Sequence, residues 1–177
     1  MSSTIRKRVL PTGWYPTTER ETRQLLDQWR EEYFEKEGEL DRKAVSAVVP
    51  HAGWSFSGKI AFHTIMHLKE EVDTVVVVGG HMHKGEGVVV AEEEGYETPF
   101  GTLEADGDLH SALSGAMKVK EDRFPDNTVE VNLPFIPYLF PRSNALWVRV
   151  GSGEEAKELG RNCAAVAEKV GKKVVLI

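Results

Sequence analysis

The stretch between residues 44 and 83 decides the fold, and it contains the runs Pro50-His51-Ala52-Gly53-Trp54-Ser55-Phe56-Ser57-Gly58 and Val75-Val76-Val77-Val78-Gly79-Gly80-His81-Met82-His83. Each run joins a histidine-bearing loop to an apolar segment of strand length, 44–49 for the first and 73–78 for the second. The segment between them, 57–71, has apolar residues at helical spacing. A strand, a helix and a strand in this order predict a βαβ unit with parallel strands and a right-handed connection.

Both loops therefore follow the carboxyl end of a predicted strand. Open sheets of parallel strands bind ligands beyond these ends, so His51 and His81 are expected to converge there. Neutral imidazole is a ligand for zinc, copper, iron and nickel, and the neighbouring glycines let backbone approach a ligand closely. The alternative for each histidine alone is a solvated or hydrogen-bonded loop residue.

The rest of the chain continues the alternation of helix and strand. A long amphipathic helix is predicted over 17–37, because Thr18 and Glu21 form a helix-start signal and Gly38 follows the last turn. Other predictions are strands at 88–90, 145–150 and 173–177, helices at 108–117 and 154–170, a turn-rich loop at 96–101 and a broken helix at 129–139. This order predicts an α/β fold, a three-layer αβα sandwich with a mostly parallel central sheet, in a single domain over 1–177.

Composition excludes several classes of protein. The 177 residues are 41% hydrophobic, which is enough for a full core without disulfides, and Cys163 is the only cysteine. The net charge of −6 comes without a basic stripe, which argues against nucleic acid as a partner. The apolar runs are too short to span a membrane, and the first residues do not resemble a signal peptide. We expect a cytoplasmic protein with Cys163 in its core.

The last residues have the composition of a central strand. Val174-Val175-Leu176-Ile177 is fully apolar, and the sequence stops without the loop that follows the two earlier strands of this type. We expect this strand in the sheet interior, beside the strands that carry His51 and His81. We also expect that the domain is C-terminally incomplete.

Several motifs in the same order resemble the Memo family, whose bacterial and archaeal members are often called AmmeMemoRadiSam system protein B. They are the two histidine loops together with Gly13-Trp14-Tyr15-Pro16, Tyr96-Glu97-Thr98-Pro99-Phe100-Gly101 and Val129-Glu130-Val131-Asn132-Leu133-Pro134-Phe135. The family is similar in fold to class III extradiol ring-cleaving dioxygenases. The resemblance implies that His51 and His81 are two ligands of a mononuclear iron or copper site. His83, two residues on, is the alternative to His81.

Two departures from the family bear on catalysis. Many relatives have Glu-His-Ser where this chain has Asp126-Asn127-Thr128, and Asn127 cannot shuttle a proton, although it can donate a hydrogen bond. The family's third metal ligand lies after the strand with which this sequence ends. His83, Asn127 and Glu130 are the candidate catalytic residues, and for Glu130 a helix-start charge is the alternative.

The resemblance leaves two functions open. One is a metal-dependent oxidoreductase related to extradiol dioxygenases, with Trp14, Tyr15, Gly53 and Trp54 forming a pocket for a small aromatic molecule. The other is a non-catalytic module that binds a peptide or a partner protein, such as a component of a radical S-adenosylmethionine system. The aromatic residues are alternatively part of the core. His63 and His67, four residues apart on a predicted helix, are expected to be a surface pair rather than a second metal site.

Overall fold

The structure is a computed structural model and describes residues 4–177. Its strands are β1 (Ile5–Arg6), β2 (Thr74–Gly79), β3 (Val88–Val90), β4 (Gly95–Thr98), β5 (Gly101–Glu104), β6 (Val119–Glu121), β7 (Asn144–Val150) and β8 (Val174–Leu176). Its α-helices are α1 (Glu19–Glu37), α2 (Lys59–Ile65), α3 (Gly107–Ala116), α4 (Asn127–Glu130), α5 (Phe135–Leu139) and α6 (Glu154–Val170). A π-helical turn, Trp54–Gly58, leads into α2.

A five-stranded sheet of order β6-β3-β7-β2-β8 forms the centre of the fold. Its neighbouring strands run parallel, except that β3 and β7 run antiparallel. A smaller sheet of order β1-β4-β5 stands beside it. The prediction of a mostly parallel central sheet is confirmed.

Side chains of β2 alternate between two hydrophobic cores, one on each face of the sheet. Val75 and Val77 belong to the core covered by α1, α2, α4 and α5, whereas Val76 belongs to the core covered by α3 and α6. This arrangement confirms the three-layer sandwich. Cys163 of α6 is 1% exposed, as expected for a core residue, and burial raises the pKa of its thiol to about 11.

The C-terminal strand lies next to the strand that carries His81. β8 pairs with β2 in the register Val175↔Val75, and its other edge meets the segment before His51, where Ala47 N–H donates to Leu176 O at 2.9 Å. These contacts give the strand the two neighbours that were expected, but β8 is the edge strand of the five-stranded sheet and not an interior strand.

Three predicted elements differ from the structure. Segment 44–49 makes isolated bridges, Ala44 to Leu68 and Ser46 to Leu176, rather than a strand within the described chain, and Val48 is 98% exposed. It is also separated from β2 by β8. The helix predicted to reach 71 ends at Ile65, because the backbone beyond it bonds to Ala44. The segment 96–101, predicted as a loop, instead contains most of β4, a two-residue turn at 99–100 and Gly101 of β5, which adopts a φ of 99°.

Among residues 4–177, the structure contains no helix with the length and apolarity needed to cross a bilayer.

Candidate functional site

His51 and His81 lie side by side at the carboxyl edge of the central sheet. Their ring centroids are 5.1 Å apart and the ring planes are nearly perpendicular, at 87°. Both residues are exposed to solvent. The structure thus brings together the two histidines that the sequence selects, and their role as metal ligands stays a prediction.

The loop that carries His81 is fixed from the core side. Gly80 N–H donates to the Thr128 hydroxyl oxygen at 3.1 Å. A Cβ on Gly79 would lie 2.5 Å from Val129 Cγ2, so only glycine fits where the strand passes α4. The ring of His81 then lies with its Nδ1 3.8 Å from Asp126 Oδ2. A carboxylate at this distance favours one orientation of the imidazole.

Trp54 fixes the loop that carries His51. Its indole N–H donates to Val131 O at 2.9 Å, and its ring stacks on Phe135 at 4.4 Å between centroids. Its backbone N–H donates to Trp14 O at 2.7 Å. The loop therefore has a buried half, which anchors it, and an exposed half, which presents His51.

Residues of the predicted aromatic pocket take part in this anchoring, and the pocket itself stays a prediction. Trp54 and Tyr15 are 3% and 7% exposed and belong to the core, against which Trp14 packs. Gly53 lies against the Trp14 backbone, with 3.6 Å between its ideal Cβ position and Trp14 Cα. None of these four is among the described residues that line the cavity beside His51. Large aromatic rings stabilise a core strongly because they bury a large apolar area, and the buried positions of Trp54 and Tyr15 fit this.

Glu130 also has a structural position. Glu130 is 3% exposed, and its carboxylate accepts hydrogen bonds from Val9 N–H, Leu10 N–H and the Tyr15 hydroxyl at 3.1 Å, 3.0 Å and 2.9 Å. Burial and this carboxylate together raise the pKa of Tyr15. These hydrogen bonds hold the N-terminal segment, and a role of Glu130 as a base or metal ligand stays a prediction.

The other two catalytic candidates have different surroundings. Asn127 Nδ2 donates to the backbone carbonyl of His51 at 3.3 Å, so its amide supports the loop. His83 is exposed, and its N–H donates to Glu86 Oε2 at 3.1 Å. It is not among the described residues that line the neighbouring cavity. The structure therefore groups His81, not His83, with His51.

The outlying histidine pair is tied to α1. His63 Nε2 lies 2.7 Å from Trp29 O, and His67 Nε2 lies 3.0 Å from the Tyr33 hydroxyl. These contacts tie His63 of α2, and His67 just beyond the end of α2, to α1.

A buried charged network lies behind the histidines and was not found from the sequence. Arg149 of β7 binds both carboxylate oxygens of Asp122, at 2.6 Å and 2.5 Å, and its third nitrogen binds Asp126 Oδ2 at 3.2 Å. Burial opposes the charge of Asp122, but hydrogen bonds from Arg149, Phe124 N–H and Trp147 outweigh it and lower the pKa of that carboxyl. The Thr128 hydroxyl donates to Asp126, which connects the network to the His81 loop. The signal in the sequence is an arginine inside an apolar strand, which requires a counter-charge.

A cavity of about 500 Å³ opens beside the two histidines, within the usual size range of ligand pockets. Its walls come from segment 46–49, the ends of β2, β7 and β8, and α6; the lining residues are Ser46, Ala47, Val48, Val49, His51, Val78, Gly80, His81, Thr128, Asn132, Val150, Ala156, Leu159, Gly160, Leu176 and Ile177. Asn132 is 3% exposed, and its Oδ1 has no hydrogen-bond partner in the described part of the chain. The sequence could not show this cavity, because its walls are distant along the chain.

The fold and the site define a class, three-layer α/β proteins whose candidate ligand site lies beyond the carboxyl ends of parallel strands. The model of the family described as Memo-like protein matches residues 6–177, and the chain belongs to this family. MEMO1 family proteins of Methanococcoides burtonii and Methanosarcina mazei are 36% and 34% identical to it, over 78% and 77% of this chain and 54% and 53% of those proteins. A MEMO1 family protein of Pyrobaculum arsenaticum is 32% identical over 78% of this chain and 52% of its own length. The chain thus spans about half the length of these curated relatives.

Proposed function

We propose that this chain supplies two imidazole ligands, His51 and His81, to a mononuclear iron or copper site. The observation that carries the proposal is the 5.1 Å separation of the two ring centroids at the carboxyl edge of the sheet. Two imidazoles bound to one ion through nitrogens at about 2.0–2.1 Å bring their centroids roughly 5 Å apart, so the pair fits the group. Iron or copper, when bound, supplies one-electron and dioxygen chemistry.

The surroundings of His81 support the same role. Histidine ligands usually give their second ring N–H to a carboxylate or carbonyl, which fixes the tautomer. Asp126 Oδ2, 3.8 Å from His81 Nδ1, stands on that side of the ring and is itself held by Arg149. Over residues 4–177, no group of three or more His, Cys, Asp or Glu side chains is arranged to hold a metal ion. The described chain thus offers two protein ligands, which leaves further coordination positions to water, a small ligand or other protein groups.

A binding role without catalysis is the second candidate. The specific observation in its favour is that polar groups next to the histidines are already engaged, Asn127 with His51 O, and Asp126 with Arg149 and Thr128. The chain therefore lacks a free acid or base next to the pair among its described residues. In this reading the site binds a small aromatic molecule, a peptide or a protein of a radical S-adenosylmethionine system. An oxidoreductase activity of the extradiol type would require the first function, the metal site, and would be an activity of the whole protein.

A metal titration tests the proposal. Metal-free protein is titrated with ferrous and cupric ions, and the bound metal is measured by elemental analysis after gel filtration. His51→Ala and His81→Ala are each expected to weaken binding by at least the roughly 10- to 100-fold typical of lost supporting partners. His83→Ala should have a milder effect. His110→Ala, in α3 on the opposite face of the sheet, is the matched control and should bind as the unmodified chain does. Equal binding by the unmodified chain and the His51/His81 double variant would refute the site.

A further inference from the structure

The backbone of the loop that carries His81 is fixed from two sides. On one side, Gly80 N–H donates to the Thr128 hydroxyl oxygen at 3.1 Å. On the other side, a Cβ on Gly151 would lie 2.8 Å from the carbonyl carbon of His83, so the loop lies directly against the glycine that follows β7. With the backbone fixed in this way, the side-chain torsion angles of His81 decide which ring nitrogen faces which neighbour.

Asp126 presents one unused acceptor position to that ring. Its side chain is 4% exposed. Oδ1 accepts from the Thr128 N–H at 2.8 Å and also from the Thr128 hydroxyl, which fills both of its lone-pair positions. Oδ2 accepts from Arg149 Nη1 at 3.2 Å and has a second lone-pair position left. The Nδ1 atom of His81 lies 3.8 Å from this oxygen.

The remaining gap between the ring and the carboxylate is small. N–H···O hydrogen bonds measure about 2.7–3.2 Å, so Nδ1 has to approach Oδ2 by roughly 1 Å or less. The side chain of His81 is 54% exposed and has room to rotate, whereas the carboxylate of Asp126 is held by three hydrogen bonds. The ring is therefore the partner that moves to close the gap.

This contact decides the tautomer of His81. In a neutral histidine, the hydrogen bond that one ring nitrogen makes determines which nitrogen carries the proton. A carboxylate accepts hydrogen bonds and cannot donate one, so the nitrogen that faces it has to be the protonated one. The proton then lies on Nδ1, and the lone pair of Nε2 is directed away from Asp126.

We propose that Asp126 is the positioning residue of His81: its carboxylate accepts the Nδ1–H of the ring and leaves Nε2 unprotonated as the atom that binds the metal. Arg149 and Thr128 act through Asp126, because they hold its two oxygens in place. The inference rests on the proposed function for what Nε2 binds, but the tautomer is a property of the metal-free chain.

Nuclear magnetic resonance measures the tautomer directly. Long-range proton–nitrogen correlation spectra are recorded on the metal-free, nitrogen-labelled chain at about pH 8.5, where an ordinary imidazole is neutral. The His81 signals are assigned by their loss in His81→Ala. We expect the Nδ1–H form for His81. His110 of α3, on the opposite face of the sheet, is the reference for a histidine without this carboxylate.

Asp126→Asn should reverse the tautomer. The amide oxygen should take the place of Oδ1, because Thr128 donates to that position twice, and the NH₂ group then takes the place of Oδ2. A donor now faces the ring, so His81 accepts at Nδ1 and carries its proton on Nε2.

Asp122→Asn is the matched control. It removes the same charge from the same buried network, since Asp122 is the other carboxylate bound by Arg149, but its remaining hydrogen bonds are with Trp147 and Phe124 N–H rather than with His81. A general loosening of the network should affect both variants, whereas the tautomer should reverse in Asp126→Asn alone.

Metal affinity supplies a second measurement. In Asp126→Asn the Nε2 atom has to lose its proton before it binds, so ferrous and cupric ions should bind about 10- to 100-fold more weakly, the range seen when the partner of a histidine ligand is removed. Asp122→Asn should bind these ions nearly as tightly as the unmodified chain.

Three outcomes would overturn the positioning role: an Nε2–H form of His81 in the unmodified chain, an unchanged tautomer in Asp126→Asn, or the same reversal in Asp122→Asn. The first of these needs no variant, so the test stands even if Asp126→Asn fails to fold. The expected tautomers in a chain that binds no metal would refute the proposed metal site alone. Metal binding that depends on both histidines, with an Nε2–H ring at His81 in the metal-free chain, would refute the positioning role alone.

Discussion

Arg149→Met is expected to destabilise the protein strongly, because the substitution removes the cation from a buried network and leaves two carboxylates behind. The side chains of Arg149, Asp122 and Asp126 are 10%, 0% and 4% exposed. Arg149 donates to both oxygens of Asp122 and to one oxygen of Asp126. Methionine fills similar apolar space along the stem but offers no donor.

The magnitude follows from what remains. Removal of one partner of a buried ion pair typically costs about 3–5 kcal/mol, and here one cation serves two carboxylates, so we expect the upper part of that range. The pH dependence should also weaken. In the unmodified chain the pKa of Asp122 is lowered, so its contribution to stability is present above the unfolded pKa and is lost as pH falls. In Arg149→Met the hydrogen bonds from Phe124 N–H and Trp147 remain but the cation is lost, so the pKa of Asp122 is lowered less and less stability should be lost as pH falls.

Urea unfolding of the metal-free chain, followed by circular dichroism, gives the free energies. Asp122→Asn and the double variant Asp122→Asn/Arg149→Met complete a cycle, in which we expect a coupling of about 1–3 kcal/mol. Lys157→Met is the control, since its pair with Glu154 is 65% and 77% exposed and should contribute less than about 1 kcal/mol. A loss below about 1 kcal/mol for Arg149→Met, or additive effects in the cycle, would refute this reasoning.

Three further predictions concern the same region. Glu130→Gln should lower the free energy of unfolding in urea by about 1.5–3 kcal/mol, because a neutral amide replaces the charged acceptor of Val9, Leu10 and Tyr15. Metal binding in the titration should stay unchanged, and a changed metal affinity with unchanged stability would instead support a role of Glu130 in the site. Stability of the unmodified chain should fall below about pH 4, as the lowered pKa of Asp122 requires, and this acid limb should be shallower in Asp122→Asn when urea midpoints are compared. The chain reconstituted with ferrous iron should not cleave simple catechols, and oxygen uptake with a ring-opened product in an electrode assay would contradict this.

Sequence patterns predict two kinds of element well: strands that are strongly apolar, and helices whose capping signal is local. β2 and β7 are runs of buried residues that have the composition of central strands, and α1 begins at Thr18, whose side chain accepts from Glu21 N–H as the capping signal requires. Segment 44–49 has a similar composition to these strands. Its pairing depends on β8, about 130 residues later along the chain, and the pattern of the segment itself carries no information about that partner.

The same distinction applies to the candidate site. His51 and His81 were predicted to converge because each follows a strand in a parallel sheet, and strand direction alone brings such loops to one edge. For Trp54 and Glu130 the sequence leaves alternatives open, since residue type does not reveal whether a ring or a carboxylate turns toward a cleft or toward the N-terminal segment. The cavity beside the histidines could not be predicted, because its walls are supplied by five separate segments. The ends of predicted strands therefore indicate where candidate site residues come together. Which of these residues remain available to a ligand depends on the hydrogen bonds that each polar group already makes within the protein.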